Sequence, residues 1–378
     1  MTKITRDYFQ TLNRPQKEYI TFEYATFEAD VWKAIRGNPL VLSVGFHRCK
    51  GLRDADLAFL ASLSNLRQFY VCDSKLNGSF LQYLNASSTT YLSANYSLFP
   101  KENFRYLRDF GALEHLSLKK SGLAETIFSE IAANKRLRSL DLSYNAFSAG
   151  NPALQELTAL VNFDLIGCRG TASVIPYLST LPALTSLNLS ASDVQDKDFE
   201  SLNSSRLATL VPALNKAITD KALKSIRNLP KLEGLCLDGT SVSSEGLRIL
   251  ADGPAAVSLR SLDLREVQGF YPDVEFLFKN FPRLSALNLS YSKELEAELL
   301  NKGYKPDDSG DPVVWLSPKS KDKPTFWLHK PKLARDFYRA YPKTAPKEPE
   351  YDWDWGLKAS IARQPASENR NSPGITNN

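Results

Sequence analysis

The sequence predicts an α/β solenoid in which strand–turn–helix units stack side by side and share one apolar core. Three observations predict it. Between about residues 60 and 300 the same pattern recurs every 23 to 27 residues, and a fixed period of this length is typical of repeat folds. Each copy opens with apolar residues that alternate with polar ones, and then continues into a short amphipathic stretch. The chain has 378 residues, which leaves room for a segment at either end of the repeats.

We number each repeat from its first apolar position. These first positions are Leu66, Thr89, Leu113, Leu137, Leu160, Leu184, Leu207, Leu232, Leu259 and Leu284. Positions four and six are also apolar in nearly every copy, as in Leu140 and Leu142. Alternation with period two predicts a strand with its leucines on one face. Stacked repeats would then pair these strands in parallel over a continuous leucine core.

Position nine is small and polar in most repeats, as in Asn145 and Asn215, so we expect buried hydrogen bonds to the turning backbone. The amphipathic stretch that follows predicts a short helix capped by residues such as Thr219 and Ser243. Pro212 occupies a core position of its repeat, and it predicts a kink or bulge because proline cannot donate to a strand ladder.

The spacing Leu-x-x-Leu-x-Leu, as in Leu137–Leu142 and Leu284–Leu289, resembles the leucine-rich repeat family. Repeats of about 24 residues with Ser, Thr or Cys at position nine are similar to the bacterial and cysteine-containing variants. The resemblance covers about two thirds of the chain. It implies a horseshoe-shaped α/β solenoid with a parallel concave sheet, short convex helices and a cap at both ends. It also implies a scaffold for binding another protein.

Composition shifts divide the chain into four segments. We expect an N-terminal cap or degenerate first repeat at 1–38, the solenoid at 39–300, a Trp- and Pro-rich segment at 301–358 and a disordered tail at 359–378. The Trp-rich segment holds four of the five tryptophans. It is either a C-terminal cap or a docking segment, with Tyr351–Trp355 as an aromatic and acidic anchor.

Charge and cysteine usage indicate the kind of partner and the compartment. The net charge is +5, and residues 301–378 contribute 14 Lys and Arg against 10 Asp and Glu, or +4 of that excess. The nearly neutral solenoid therefore argues against a nucleic-acid partner. The four cysteines are scattered, which favours a reducing compartment. With no signal-peptide or membrane-span pattern, we expect a cytoplasmic monomer, and delivery by a specialised secretion system stays open.

The sequence does not predict a catalytic, metal or cofactor site. The three histidines have no metal-ligand spacing. Cys236-Leu-Asp238 matches the Cys-x-Asp spacing of bacterial repeat-linked ubiquitin ligases, but in those enzymes the motif lies in a separate helical domain. Here it falls within a predicted strand, so we expect the protein not to be an enzyme. The alternative is a ubiquitin-ligase-like enzyme in which Cys236 is the catalytic residue.

The candidate binding residues are on the predicted concave face, where positions three, five and seven of each strand point away from the core. They are Tyr70, Tyr91, Asn95, His115, Lys119, Asp141, Asp164, Asn188, Asp238, Asp263 and Arg265. We expect the aromatic end to anchor a protein partner and the aspartates to receive its basic groups. The alternative is a solvated polar face without a dominant contact.

Three functions fit these features. The first is a non-enzymatic protein-binding scaffold. The second is a secreted effector or ubiquitin-ligase substrate adaptor, in which the repeats select a target. The third is an inhibitor that wraps an enzyme. Fold alone does not decide between them.

Overall fold

The computed structural model describes residues 2–5, 18–28, 31–34, 36–267, 273–307, 313–316 and 325–329. For residues 34, 307, 313–316 and 325–329 it describes the backbone only. The predicted anchor Tyr351–Trp355, the docking part of 301–358 beyond residue 329 and the tail 359–378 lie outside the described residues. Inter-residue contacts divide the chain into two units, Met1–Lys330 and Pro331–Asn378, and every described element belongs to the first.

Strands β1 to β17 follow one another in chain order. They are Thr2–Ile4, Tyr19–Glu23, Ala25–Phe27, Ser43–His47, Gln68–Cys72, Tyr91–Asn95, His115–Ser117, Ser139–Asp141, Asn162–Asp164, Ser186–Asn188, Thr209–Val211, Gly234–Cys236, Ser261–Leu264, Ala286–Ser290, Lys305–Asp307, Val313–Leu316 and Thr325–His329. Strands β2 and β4 to β14 form one open parallel sheet in sequence order, and β1 pairs separately with β3. Strand β17 joins β14 in parallel, and β16 and β15 extend this edge in antiparallel fashion.

The helices connect successive strands. In the described part of the chain, seven are 3₁₀ helices, at Val31–Ala34, Asp54–Ser62, Ser79–Tyr83, Lys101–Leu107, Pro152–Glu156, Thr171–Ser173 and Asp196–Ser201. The α-helices α1 to α7 are Thr126–Ile131, Ile175–Leu178, Asp220–Ile226, Ser244–Ala251, Ala255–Ser258, Val274–Asn280 and Lys293–Asn301. None of the helices in the described residues is long and apolar enough to cross a membrane.

The predicted helix caps are present. The Thr219 hydroxyl accepts a hydrogen bond from the Lys221 amide at 3.3 Å, and the Ser243 hydroxyl accepts one from Glu245 at 3.1 Å. Aspartates at helix starts also join neighbouring repeats. Asp220 Oδ1, for example, accepts the Ser243 amide of the next repeat at 2.7 Å. The starts of α3 and α4 are therefore fixed both within their repeats and to a neighbouring repeat.

The core is a stack of position-four side chains in register. Leu140 pairs with Phe163, Phe163 with Leu187, and Leu187 with Leu210, and all four are buried. Burial of a Leu or Phe side chain contributes about 1.5–3 kcal/mol, so one layer per repeat supplies much of the stability. The predicted leucine-rich repeat solenoid is confirmed by this register and by the order of the strands.

Position nine forms the predicted buried hydrogen bonds. Asn145 Nδ2 donates to the Leu118 and Leu142 carbonyls at 2.9 and 2.8 Å. Its Oδ1 accepts the amides of Ser121 and Leu123 at 3.0 and 3.1 Å. Its Nδ2 also donates to the Ser143 carbonyl at 3.3 Å. One side chain thus satisfies five backbone groups in two repeats, where the chain leaves the strand.

Position eight closes each repeat onto the next. Its amide donates to the position-seven carbonyl of the following repeat, as Tyr96 does to Lys119 at 2.8 Å and Lys120 to Ser143 at 2.9 Å. Its φ is positive in successive repeats whether or not the residue is glycine, for example 58° at Tyr96 and 59° at Leu214. The turn after the strand therefore has a left-handed residue in every repeat from the one that begins at Leu66 to the one that begins at Leu259.

Pro212 removes one ladder bond without distorting the register. In other repeats the position-six amide donates to the next repeat, as Leu142 does to the Asp164 carbonyl at 3.0 Å. Proline has no amide hydrogen, so that bond is missing. Leu210 still pairs with Leu235, and Leu214 donates to the Asp238 carbonyl at 2.7 Å. The expected bulge is therefore absent.

Candidate binding surface on the concave face

The concave face is the side of the sheet turned away from the helices, and parallel register aligns its side chains in rows. Position five of successive strands places Ser117 beside Asp141, Asp141 beside Asp164, and Asp164 beside Asn188. Neighbouring strands lie about 4.8 Å apart. Residues more than 20 apart in sequence thus become direct neighbours on this face.

The first group of predicted residues surrounds an exposed tyrosine. Tyr91 is 38% exposed, and its ring centroid lies 6.0 Å from that of His115 on the next strand. Burial of the inner part of the ring raises the pKa of the Tyr91 phenol, against the effect of nearby Lys119. Burial lowers the pKa of His115. Both rings are therefore neutral near pH 7 and offer an aromatic surface.

An ion pair lies next to these rings. Lys119 Nζ is 2.9 Å from Asp141 Oδ2, with both side chains largely buried. Burial lowers the pKa of Lys119, but Asp141 and the nearby Asp164 outweigh it, so the pKa is raised. The Asn95 side chain helps to place this lysine, because its Oδ1 accepts the Lys119 amide at 2.8 Å.

Asp164 is the least satisfied charge of this group. Burial, followed by the neighbouring Asp141 carboxylate, raises the pKa of Asp164 to about 7. Asp141 receives both the Lys119 ion pair and the Ser143 hydroxyl, which donates at 2.6 Å. No described residue donates a hydrogen bond to the half-buried Asp164 carboxyl. A cation brought by a partner would therefore stabilise its ionised form.

Tyr70 differs from the predicted anchor in its packing. Its ring lies over Gly45 on the neighbouring strand, where an added Cβ would fall 1.9 Å from the ring. Its hydroxyl is hydrogen-bonded to the Thr21 hydroxyl two strands away. The Tyr70 ring thus packs against the surface of the N-terminal strands. Tyr91 is the more exposed of the two rings.

Position five also carries a repeated backbone contact that sequence reasoning missed. Asp141, Asn188 and Asp263 each accept the amide of the residue two positions later, at 3.1 Å in all three cases. An Asp or Asn side chain commonly makes this contact with the backbone. The recurrence of Asp and Asn at position five was the signal that could have revealed it.

The second group of predicted residues lies near the C-terminal end of the sheet. Asp263 is only 2% exposed, and its carboxylate accepts Arg265 Nε at 3.0 Å and Nη2 at 2.8 Å. Arg265 Nη2 also lies 3.7 Å from Asp238 Oδ2. Burial and Asp263 raise the pKa of Asp238 to about 7. The Arg265 guanidinium is therefore hydrogen-bonded to Asp263 and also forms an ion pair with Asp238.

Asp238 retains an unsatisfied atom. Its Oδ1 is buried and has no hydrogen-bond partner. Asp263, by contrast, is fully used in holding Arg265, so within a binding surface its role is to position that guanidinium. The predicted group Asp238, Asp263 and Arg265 is therefore brought together, about three strands beyond Asn188.

Cys236 is unsuited to act as a nucleophile. The thiol lies beside Asp263 in register, is 8% exposed, and has its pKa raised well above the usual value by burial and by the two neighbouring aspartates. A reactive cysteine needs an accessible thiolate, which positive surroundings favour. All four cysteines are free thiols. No cluster of three or more His, Cys, Asp or Glu that could hold a metal occurs in the described residues.

Comparisons with known proteins concern the fold. No family model and no curated protein sequence matches the chain. Similar solved structures include an internalin from Listeria monocytogenes, at 15% identity and TM-score 0.49, covering 76% of this chain and 86% of that one. The Drosophila Toll receptor in complex with Spatzle is 11% identical, with TM-score 0.48 and 76% of this chain covered. The Arabidopsis receptor kinase GASSHO1 in complex with CASPARIAN STRIP INTEGRITY FACTOR 2 is 20% identical, with TM-score 0.46 and 72% covered. This chain spans only 45% and 32% of the last two chains.

Proposed function

We propose that this leucine-rich repeat protein is a non-enzymatic scaffold that binds a protein partner through its concave face. The observation that supports the proposal most directly is the group formed by Tyr91, His115, Lys119, Asp141 and Asp164. It combines an exposed aromatic ring with the Asp164 carboxyl group, to which no described residue donates a hydrogen bond. Exposed tyrosines are common anchors of protein interfaces, and a carboxyl group beside one offers a contact for a basic side chain of the partner.

The spacing of the two groups fits a folded protein better than a small ligand. From Tyr91 on β6 to Arg265 at the end of β13 there are seven strand intervals, or about 34 Å at 4.8 Å each. A surface of that length matches a protein partner of ordinary interface size. Such a partner would place an apolar or aromatic side chain on Tyr91 and basic side chains near Asp164 and Asp238.

We further propose a cytoplasmic location. The four cysteines are unpaired thiols, and Cys49, Cys168 and Cys236 are buried, which fits a compartment where thiols stay reduced.

The adaptor and inhibitor hypotheses would use the same face, and they differ in what the bound partner does. Identification of the partner is therefore the first experiment.

Photo-crosslinking in a reduced cell lysate tests the proposal. A photoreactive benzoylphenylalanine replaces Tyr91 on the concave face or, as a matched control, the exposed Lys221 on convex helix α3. We expect one partner to be crosslinked from position 91 and not from position 221. The purified partner should then bind the wild-type chain at least tenfold more tightly than the Tyr91→Ala/Asp164→Asn variant. A partner crosslinked equally from both positions, or bound equally by the variant, would contradict the proposal.

A further inference from the structure

A second surface follows the edge of the sheet where each strand turns towards its helix. Position eight of each repeat up to the one that begins at Leu259 lies there, and its amide is bonded to the next repeat. Arg48, for example, donates to the Cys72 carbonyl at 2.9 Å, and Asp73 donates to the Asn95 carbonyl at 3.2 Å. Side chains at positions eight and ten therefore project from a regular backbone ladder with one step per repeat. The N-terminal part of this edge, which we call the basic rim, comprises Tyr24, Arg48, Lys50, Asp73, Lys75, Tyr96, Leu98 and Lys120.

The basic rim differs in charge from the rest of the edge. It carries four cations, Arg48, Lys50, Lys75 and Lys120, against one anion, Asp73, which gives a balance of +3. From Tyr144 to Glu266 the same two positions carry Arg169 and Lys216 against Asp193 and Glu266, a balance of zero. The position-eight residues from Tyr24 to Glu266 all have a positive φ. The two parts of the edge therefore differ in the charge of their side chains and not in backbone conformation. Residues 1–300 as a whole carry only +1 of the total +5.

Two of the four cations, Arg48 and Lys120, contact aromatic rings. The Arg48 guanidinium lies 5.7 Å from the Tyr24 ring centroid and donates to its hydroxyl at 2.8 Å. Lys120 Nζ lies 5.9 Å from the Tyr96 ring centroid. Contact with an aromatic ring orients a cation without cancelling its charge. The single acid of the rim, Asp73, is 3.6 Å from Arg48, and Lys50 and Lys75 are exposed without an ion pair to a described residue.

An exposed apolar residue lies among these charges. Leu98 is 76% exposed, the most exposed of the large hydrophobic side chains in the described residues, and Tyr24 is 47% exposed. Single exposed leucines are common on protein surfaces. Here the leucine lies between Lys75 and Lys120 on the ladder, so an apolar contact and two cations are available to the same ligand.

We propose that the basic rim binds an acidic, extended segment of a partner protein that carries an apolar side chain. From Tyr24 to Lys120 the ladder has four steps, about 19 Å at 4.8 Å each, which about six residues of extended chain would cover. The partner's carboxylates would pair with Lys50, Lys75 and Lys120, and its apolar side chain would cover Leu98. This surface is separate from the concave group around Tyr91, and the proposal does not depend on binding there.

The composition of the rim favours a protein over other anions. A nucleic-acid site combines a strongly positive surface with aromatic rings free for stacking. Here the balance is only +3, and the rings of Tyr24 and Tyr96 already contact Arg48 and Lys120. An anionic membrane would attract the same cations, so both anions serve as comparison ligands in the test.

Fluorescence anisotropy with the full-length chain tests the proposal. The probe is a fluorescein-labelled peptide of about eight residues, made of Asp and Glu with one central Leu. We expect Lys50→Glu/Lys75→Glu to weaken its binding at least tenfold, and Leu98→Ser to weaken it about threefold. The matched control Lys197→Glu/Lys224→Glu changes the same charge on exposed convex positions and should change affinity less than twofold. Circular dichroism confirms that each variant is folded.

The comparison ligands are a 12-nucleotide single-stranded RNA and phosphatidylcholine vesicles containing phosphatidylserine. Rim-dependent binding of the peptide, tighter than that of RNA or vesicles, supports the proposal. Absence of peptide binding would overturn it, as would equal weakening by the control variant. Rim-dependent binding of RNA or vesicles that exceeds peptide binding would overturn the choice of an acidic protein. The Tyr91→Ala/Asp164→Asn variant should retain peptide binding, which separates this result from the concave-face test.

Discussion

Asp141 and Asp164 are paired in register on adjacent parallel strands, so two carboxyl groups lie side by side on the concave face. Among the residues that the structure describes, Lys119 is the one cation close to them, and it forms its ion pair with Asp141. The consequence is that Asp164 keeps its proton to a higher pH than an ordinary aspartate. Because Lys119 pairs with Asp141 and not with Asp164, the protonation of Asp164 affects both the stability of the fold and the charge of the proposed binding surface.

The stability effect has a definite direction. The pKa of Asp164 is about 7 in the folded chain and about 3.9 in an unfolded one. Between these values the folded state holds a proton that the unfolded state has released, so stability falls as pH rises from about 4 to 7. We expect Asp164→Asn to increase the free energy of unfolding by ~2 kcal/mol at pH 8 and by much less at pH 4. Urea unfolding at both pH values measures it, and an equal effect at both would contradict it.

Binding should show the opposite dependence on pH. A partner cation near Asp164 favours the ionised carboxylate, so affinity should rise as the pH increases through about 7. Once a partner is identified, we expect its affinity for the wild-type chain to increase several-fold from pH 6 to pH 8. The Asp164→Asn variant should show a weaker increase. Titration calorimetry at the two pH values is the measurement, and a wild-type affinity that falls over this interval would count against a basic contact.

The two position-nine asparagines make different contributions to stability. Asn145 satisfies five backbone groups through both its Nδ2 and its Oδ1. Asn215 donates to the Leu189 and Pro212 carbonyls at 2.8 and 2.9 Å, but its buried Oδ1 has no partner. An unsatisfied buried group costs about 1–3 kcal/mol. We expect Asn145→Ala to lower the free energy of unfolding by ~4 kcal/mol and Asn215→Ala by ~2 kcal/mol. Denaturant titration compares them, and equal losses would show that the orphaned oxygen does not matter.

The repeat pattern predicted the strands and the core because one leucine layer per repeat leaves little choice of register. It did not separate 3₁₀ from α-helices. The repeats that begin at Leu207, Leu232 and Leu259 have 25, 27 and 25 residues and carry α-helices, while most repeats of 23 or 24 residues carry 3₁₀ helices. A 3₁₀ helix rises about 2.0 Å per residue against 1.5 Å in an α-helix, so it spans the convex side with fewer residues.

Alternation also predicted which side chains reach the concave face, but it could not predict their partners. Arg265 is hydrogen-bonded to Asp263, and Tyr70 packs over Gly45. Such contacts depend on the positions of side chains in the folded sheet, which the alternation of apolar and polar residues does not specify. The left-handed turn at position eight was missed because its residue types vary, and Leu214 and Tyr96 are unusual there.

The left-handed turn at position eight leads to a prediction for Gly167. Gly167 has φ of 63°, and a Cβ at this position would lie 2.7 Å from the Tyr144 ring. Gly167→Ala should therefore lower the free energy of unfolding by ~1–2 kcal/mol through left-handed strain and crowding. The matched change Ala191→Gly, at φ of 50°, relieves strain but adds freedom to the unfolded chain, so we expect a change below ~0.5 kcal/mol. Thermal melts of both variants measure the contrast, and a harmless Gly167→Ala would contradict it.

Thiol reactivity distinguishes a scaffold from an enzyme that uses Cys236. Burial raises the pKa of Cys49, Cys168 and Cys236, to about 12 for Cys168, whereas Cys72 on β5 is only half-buried. Alkylation proceeds through the accessible thiolate. We expect iodoacetamide at pH 8 to modify Cys72 first and the other three at least tenfold more slowly, as followed by peptide mass spectrometry. A denatured sample, in which all four react alike, is the control. Rapid labelling of Cys236 in the folded chain would contradict the structural environment described for it and reopen the enzymatic alternative.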